Sequence, residues 1–183
     1  MKYFLILVAL LLSSTGYSQQ KGPTDIRPEI EAKIRVLVSK SAAKFNDRLK
    51  KQNLNTDEIE FKLDTFEINH YMSESLKVDY STLGMRKAVH QAAEAYDNLL
   101  NKYYKKLNQK LKPGDKAALL TAQRAWLTYR DAELSFKGTL GKSHYSGGGT
   151  IETLIQSSFY LDMIKKRVVE LFEHYGSIGR GIH

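Results

Sequence analysis

The chain has 183 residues, with 28 Lys+Arg against 20 Asp+Glu for a formal charge of +8, and it contains no cysteine. That lack rules out disulfides, thiolate metal sites, thiol nucleophiles and dithiol redox chemistry together, so the folded part must rely on its core. The basic excess favours acidic partners, such as anionic polymers or lipid headgroups, over a neutral surface, although solubility alone accounts for it equally well.

The N-terminus opens with a single cation, Lys2, followed by the unbroken apolar run YFLILVALLL from Tyr3 to Leu12. Crossing a bilayer takes roughly 20 apolar residues, and this run meets small and polar residues at Ser13 first. Gly16 and Ser18 stand at the −3 and −1 positions of a cut before Gln19. Residues 1–18 therefore read as a cleaved secretory signal, and the product as exported, periplasmic or secreted. Loss of Lys2 leaves 27 basic against 20 acidic side chains, or +7.

After a polar lead-in, Pro28 suits the first residue of a helix. Ile30, Ile34, Leu37, Val38, Phe45 and Leu49 then recur at three- and four-residue steps through Lys51, where QNLNT breaks the pattern. From Asp57 to Lys77 the signal is mixed: Ile59, Phe61 and Leu63 alternate like a strand, while Ile59, Leu63, Phe66 and His70 step like a helix. The balance predicts a helix. Ser81 or Thr82 caps a long helix to Leu111, with Met85, Ala88, Ala92, Tyr96, Leu99, Tyr103 and Leu107 as its stripe, and Pro113-Gly114 ends it.

The next helix runs from Asp115 to Lys137. Ala118, Ala122, Ala125, Tyr129, Ala132 and Phe136 recur in alternating fours and threes, a seam narrow enough for close antiparallel packing, with Trp126 beside it. Gly138 to Gly149 reads as a loop. Thr150 caps a last helix whose face is Leu154, Leu161, Ile164, Val168, Leu171 and Tyr175, ending at Gly176 before a frayed tail, 177–183. Long amphipathic helices on short connections predict an all-α fold, a small antiparallel up-and-down helical bundle.

Enzyme motifs fail on inspection. Gly141-Lys142-Ser143 echoes the end of a phosphate-binding loop but follows no strand and has Phe136 where the first glycine belongs. Glu67 and His70 have the spacing of a di-iron helix without the second Glu-x-x-His that such a site needs. His90, His144, His174 and His183 show no ligand spacing. Nothing here calls for a cofactor or a metal, and no nucleophile–base pair marks a hydrolase. Asp97, Asn101, Gln123, Arg130 and Asp131 lie in or beside apolar stretches of two successive helices and suggest a structural polar network between them, with Arg130 pairing across the interface to Asp97 or a neighbouring polar group.

At these two helices, AYDNLLNKYYKKL (95–107) and AQRAWLTYRDAE (122–133), the sequence resembles the LprI-like lysozyme-inhibitor family of small exported bacterial helical proteins. The family pattern of Asp, Leu-Asn and Tyr is matched by Asp97, Leu100, Asn101 and Tyr104, and its Gln-Arg-x-Trp-x-x-x-Arg-Asp run by Gln123, Arg124, Trp126, Arg130 and Asp131. SGGGT and Arg167 agree as well. Leu134 stands where many members carry a cysteine. The resemblance divides the mature chain into an N-terminal helical extension, 19–80, and an LprI-like bundle domain, 81–176.

What the resemblance implies is a non-enzymatic exported module that binds and inhibits a lysozyme-like muramidase. The expected contact is the 138–149 loop, whose Lys142, His144, Tyr145 and Ser146 supply hydrogen-bond donors on a narrow tip. The alternative is an envelope module docking on anionic wall polymer or headgroups through Lys102, Lys105, Lys106, Lys110 and Lys112 and through Lys165, Lys166 and Arg167. Neither reading involves nucleic acid.

Overall fold

The computed structural model describes residues 27–178; the signal sequence expected at 1–18 and the end of the expected tail, 179–183, lie outside the described residues. The described residues form an all-α fold of α1 (Pro28–Leu49), α2 (Thr56–Val78), α3 (Thr82–Lys110), α4 (Lys116–Leu140), a single turn α5 (Ser143–Ser146) and α6 (Ile151–Ser177). Local chemistry sets most of the ends. Pro28 occupies the first turn of α1. Asn55, inside the QNLNT break, starts α2 with a capping box: its side chain accepts from the Glu58 amide at 2.9 Å while Glu58 accepts from the Asn55 amide. Ser81 caps α3 by accepting from the Gly84 amide at 3.1 Å.

Gly84 is required where it stands, because a Cβ there would collide with the backbone and carboxyl of Asp79, the residue that shapes the elbow between α2 and α3. At α6 the expectation fails in detail: Thr150 starts the helix without a side-chain cap, and its carbonyl instead accepts from the Thr153 hydroxyl at 2.7 Å.

Side-chain contacts fix the directions of the helices. Arg35 lies over Tyr71 and Phe45 stacks on Phe66, so α1 and α2 are antiparallel. Lys102 reaches Asp64 and Lys106 reaches Asp57, so α2 and α3 are antiparallel too. Between α3 and α6 the order reverses. Arg86 meets Thr153, Tyr103 meets Phe172 and Lys110 meets Tyr175, each pair advancing together along both helices, so these two run parallel. Gln123 bonds Arg167 and Lys137 lies over Phe159, which makes α4 antiparallel to α6.

Successive long helices thus alternate in direction, yet the largest contact joins α3 to α6 rather than α3 to α4. The reason is the width of the apolar faces. On α3, Ala88, Val89, Ala92, Ala93, Tyr96, Leu99, Leu100, Tyr103 and Leu107 are all buried, a stripe whose small members let a neighbour approach closely; α6 answers with Leu161, Ile164, Val168 and Leu171. Phe61 of α2 stacks on Phe172 at 4.0 Å and meets Tyr103 edge-on at 5.3 Å, joining α2 to the same core.

Two stripes differ from expectation. Leu37 of α1 is 45 % exposed, the burial falling on Ile34, Val38, Ala42 and Leu49. On α4 the whole Ala118–Phe136 seam faces solvent, with Tyr129 57 % and Phe136 59 % exposed, while Leu119 and Gln123 are the buried residues. Among the described residues no helix is long and apolar enough to cross a membrane.

Candidate functional site

The segment expected as one open loop from Gly138 to Gly149 is more ordered than that. Helix α4 continues through Leu140, and Ser143–Ser146 form the turn α5. Ser146 braces the tip: its hydroxyl donates to the Gly141 carbonyl at 3.1 Å and accepts from the Gly148 amide at 3.1 Å. Gly147, Gly148 and Gly149 have φ of 82°, 72° and 103°, the left-handed region in which a side chain is strained, and they carry the chain back into α6. Lys142, His144 and Tyr145 are exposed, with the His144 and Tyr145 rings 4.1 Å apart. Of the four residues expected at the tip, these three present their side chains outward. Ser146 serves the turn.

The polar network expected between α3 and α4 does not bridge those helices. Asn101 donates to the Asp97 carbonyl at 3.0 Å on its own helix. Arg130 donates from Nε and Nη2 to its neighbour Asp131 at 2.8 and 2.7 Å, not to Asp97. Gln123 accepts from Arg167 Nε at 3.0 Å in a buried bond to α6, and Arg167 also donates to Glu170 at 2.9 Å. The physical reason is that α3 and α4 each pack on α6 and so are not facing partners. The bond between helices is that of Gln123, and its partner is on α6 rather than α3.

Trp126 of α4 and Tyr160 of α6 take up several of these charges. The guanidinium groups of Arg130 and Arg167 lie 5.5 and 5.7 Å from the Trp126 ring. The Tyr160 hydroxyl is pushed above its ordinary range by burial first, then by the Asp97 and Asp131 carboxylates, with Arg130 opposing. The charges of Asp97, Arg130 and Asp131 thus act on Tyr160, a residue that sequence reading did not single out.

The comparison with family models now falls on this geometry: the model described as Lysozyme inhibitor LprI matches residues 74–171. The chain belongs to the LprI lysozyme-inhibitor family. The match spans the end of α2, all of α3, α4 and α5, and α6 through Leu171. Within the matched span, Gln123 and Trp126 of α4 both contact Arg167 of α6, and the tip at α5 lies inside it as well. Comparison with curated proteins and with solved structures gave no match.

The lysine groups of the alternative reading are largely spent within the LprI-type core and its α2 flank. Lys102 pairs with Glu60 at 2.7 Å and with Asp64; Lys106 pairs with Asp57 at 3.2 Å and with Glu60. Burial works to raise the Glu60 carboxyl, but bonds from Lys102 and Lys106 outweigh it and hold the group below its usual range. Lys110 lies 3.7 Å from the Tyr175 ring centre. Burial lowers Lys165, which lies over Tyr96 at 5.1 Å, and Arg167 is buried. Asp57, Glu60 and Asp64 are an acidic face that the sequence reading passed over, although their spacing of three and four residues places them on one side of a helix.

Proposed function

We propose that this chain is an exported, non-catalytic binding protein that inhibits a lysozyme-like muramidase through the tip between α4 and α6. The observation that carries the reading is a braced turn holding Lys142, His144 and Tyr145 outward on a scaffold of family-matched helices. A retaining muramidase presents two carboxyl groups ~5–5.5 Å apart in a cleft, one of them kept protonated as the acid. A cation, an imidazole and a phenol on a one-turn tip are donors suited to that pair, and the Tyr145 ring, 64 % exposed, offers apolar surface to the cleft wall. Ordering cost is lowered because Ser146 already ties the turn to Gly141 and Gly148.

Replacement of Lys142, His144 and Tyr145 together by alanine is expected to abolish inhibition of muramidase activity while helicity and melting stay unchanged, as measured by cell-wall clearing and circular dichroism. Full inhibition by the triple variant would move the site elsewhere. The polymer-docking reading is the weaker one, because the acidic face of α2 pairs with Lys102 and Lys106, two of the lysines on which it rests.

A further inference from the structure

Helices α1 and α3 each pack on α2, and between them they leave a cleft of about 630 Å³. That size lies within the ~300–1,000 Å³ of small-molecule sites. Its floor is apolar, with Val38 of α1 and Ala92 of α3 buried and Ile68 of α2 half-buried. Its rim is polar and exposed: Arg35 on α1, Glu67 on α2 and, along one line of α3, Gln91, Glu94 and Asn98. Helix α1 and most of α2 precede the family match, so the N-terminal extension builds two of the three walls. The tip elements α4, α5 and α6 contribute nothing to the lining.

The rim discriminates among classes of ligand. Arg35 donates from Nε and Nη2 to Glu31 at 3.1 and 2.6 Å, so its charge is matched within α1. Among the described residues no Lys or Arg pairs with Glu67 or Glu94, and His90 lies 3.5 Å from Glu94. Two such carboxylates repel an anionic chain. An apolar ligand would strip water from the rim groups and replace none of its hydrogen bonds. A small cation would use the carboxylates and leave Gln91 and Asn98 idle. Those two carboxamides make no side-chain hydrogen bond among the described residues, and each can donate and accept at once. An acetamido group is itself an amide and pairs with a carboxamide in both directions. Seven residues of helix set Gln91 and Asn98 ~10.5 Å apart along α3. In a β-1,4-linked sugar chain each unit is flipped over relative to the last, so the acetamido groups of one side recur once per disaccharide, a span of about that length.

We propose that this cleft binds a neutral β-1,4-linked oligosaccharide bearing acetamido groups, laid along α3. Alternate acetamido groups pair with Gln91 and Asn98, sugar hydroxyls donate to Glu67 and Glu94, and the C–H faces of the rings rest on Val38, Ile68 and Ala92. Water competes for every bond at so exposed a rim, and half-saturation is expected at about 0.1–1 mM. The site stands apart from the tip, so its failure would leave the muramidase reading where it is.

Titration of the isotope-labelled mature protein with tetra-N-acetylchitotetraose, followed by heteronuclear NMR, should shift the side-chain amide signals of Gln91 and Asn98 and the backbone signals around Val38 and Ile68. Cellotetraose, the same backbone without acetamido groups, should bind about tenfold or more weakly. Gln91→Ala with Asn98→Ala, both at exposed positions of α3, should weaken the acetylated sugar by about tenfold or more with an unchanged melt. Glu67→Gln, which keeps the hydrogen-bonding shape and removes the charge, should cost the sugar less than the carboxamide pair does. Spermidine, as a cationic probe, should give no saturable shift at the cleft. No shift at these residues up to about 10 mM of the acetylated sugar, an equal response to cellotetraose, or binding indifferent to loss of both carboxamides overturns the proposal. So does saturable spermidine binding that Glu67→Gln abolishes, since the cleft would then belong to an amine.

Discussion

Arg167 and Gln123 show what a single buried hydrogen bond does in this fold. Arg167 is 8 % exposed, and its Nε has Gln123 as partner while Nη1 reaches out to Glu170. Removing the acceptor leaves a charged donor in the interior without compensation, which costs about 1–3 kcal/mol. Gln123→Ala is accordingly expected to lower stability by that amount, measured as a shift in the denaturant midpoint. Arg130→Ala is the contrasting case. Its ion-pair partner is the adjacent Asp131, whose side chain is 64 % exposed, so the pair itself contributes little and the change should cost less than about 1 kcal/mol, most of it packing over Trp126. Equal losses in the two variants would mean that the polar contacts between α4 and α6 are wrongly assigned.

Among elements, the joint between α2 and α3 is the one most sensitive to acid. Three carboxylates of α2, Asp57, Glu60 and Asp64, meet two lysines of α3, and Tyr175 of α6 donates to Asp57 at 3.0 Å. Glu60 is held below its ordinary 4.5 in the folded protein, so its contribution to stability is present above that value and is lost as pH falls through the depressed folded one. Lys102 and Lys106 are raised above 10.5, burial opposing and the carboxylates prevailing; their contribution is present below 10.5 and lost as pH rises through the folded values. The melting temperature of wild type should therefore fall as pH drops below about 4.5, and Glu60→Gln should flatten that fall while lowering stability at neutral pH. A Glu60→Gln melt with the same acid slope as wild type would exclude the joint as its source. Exposure of these side chains to solvent keeps the effect modest, and added salt should weaken it.

At the scale of the whole molecule, burial is concentrated in α3 and α6, which supply all but one of the buried residues in the main core cluster; Leu119 is the only one from α4. Local opening free energies follow such packing. Amide exchange at low micromolar concentration should accordingly leave α3 and α6 slowest, with α1 and α4 exchanging faster. Protection of α4 equal to that of α3 in that dilute sample would contradict the core described here.

How much of this was readable beforehand depended on whether local or long-range physics decided it. Helix positions were legible because apolar period, Pro28, Ser81 and Pro113-Gly114 act within a few residues; even the ambiguous 57–77 stretch proved helical, as Asn55 and Glu58 cap it. The family pattern was legible too, since it lies in the order of residues along α3 and α4. Partners were not. Periodicity says that a face is apolar, not which helix covers it, and the alanine seam of α4 was read as internal although α6 takes the Leu119–Gln123 side instead. Likewise Lys102 and Lys106 looked like a free basic group until α2 laid Asp57, Glu60 and Asp64 across them, a pairing between residues some forty to fifty apart that no local rule contains. Chain order thus settled the helices, their ends and the family, all governed by interactions of short range. Only packing settled that α3 and α6 run parallel, that Ser146 braces the tip instead of offering itself, and that one side of α4 is left open, because each of these depends on which of several apolar faces buries the most surface together.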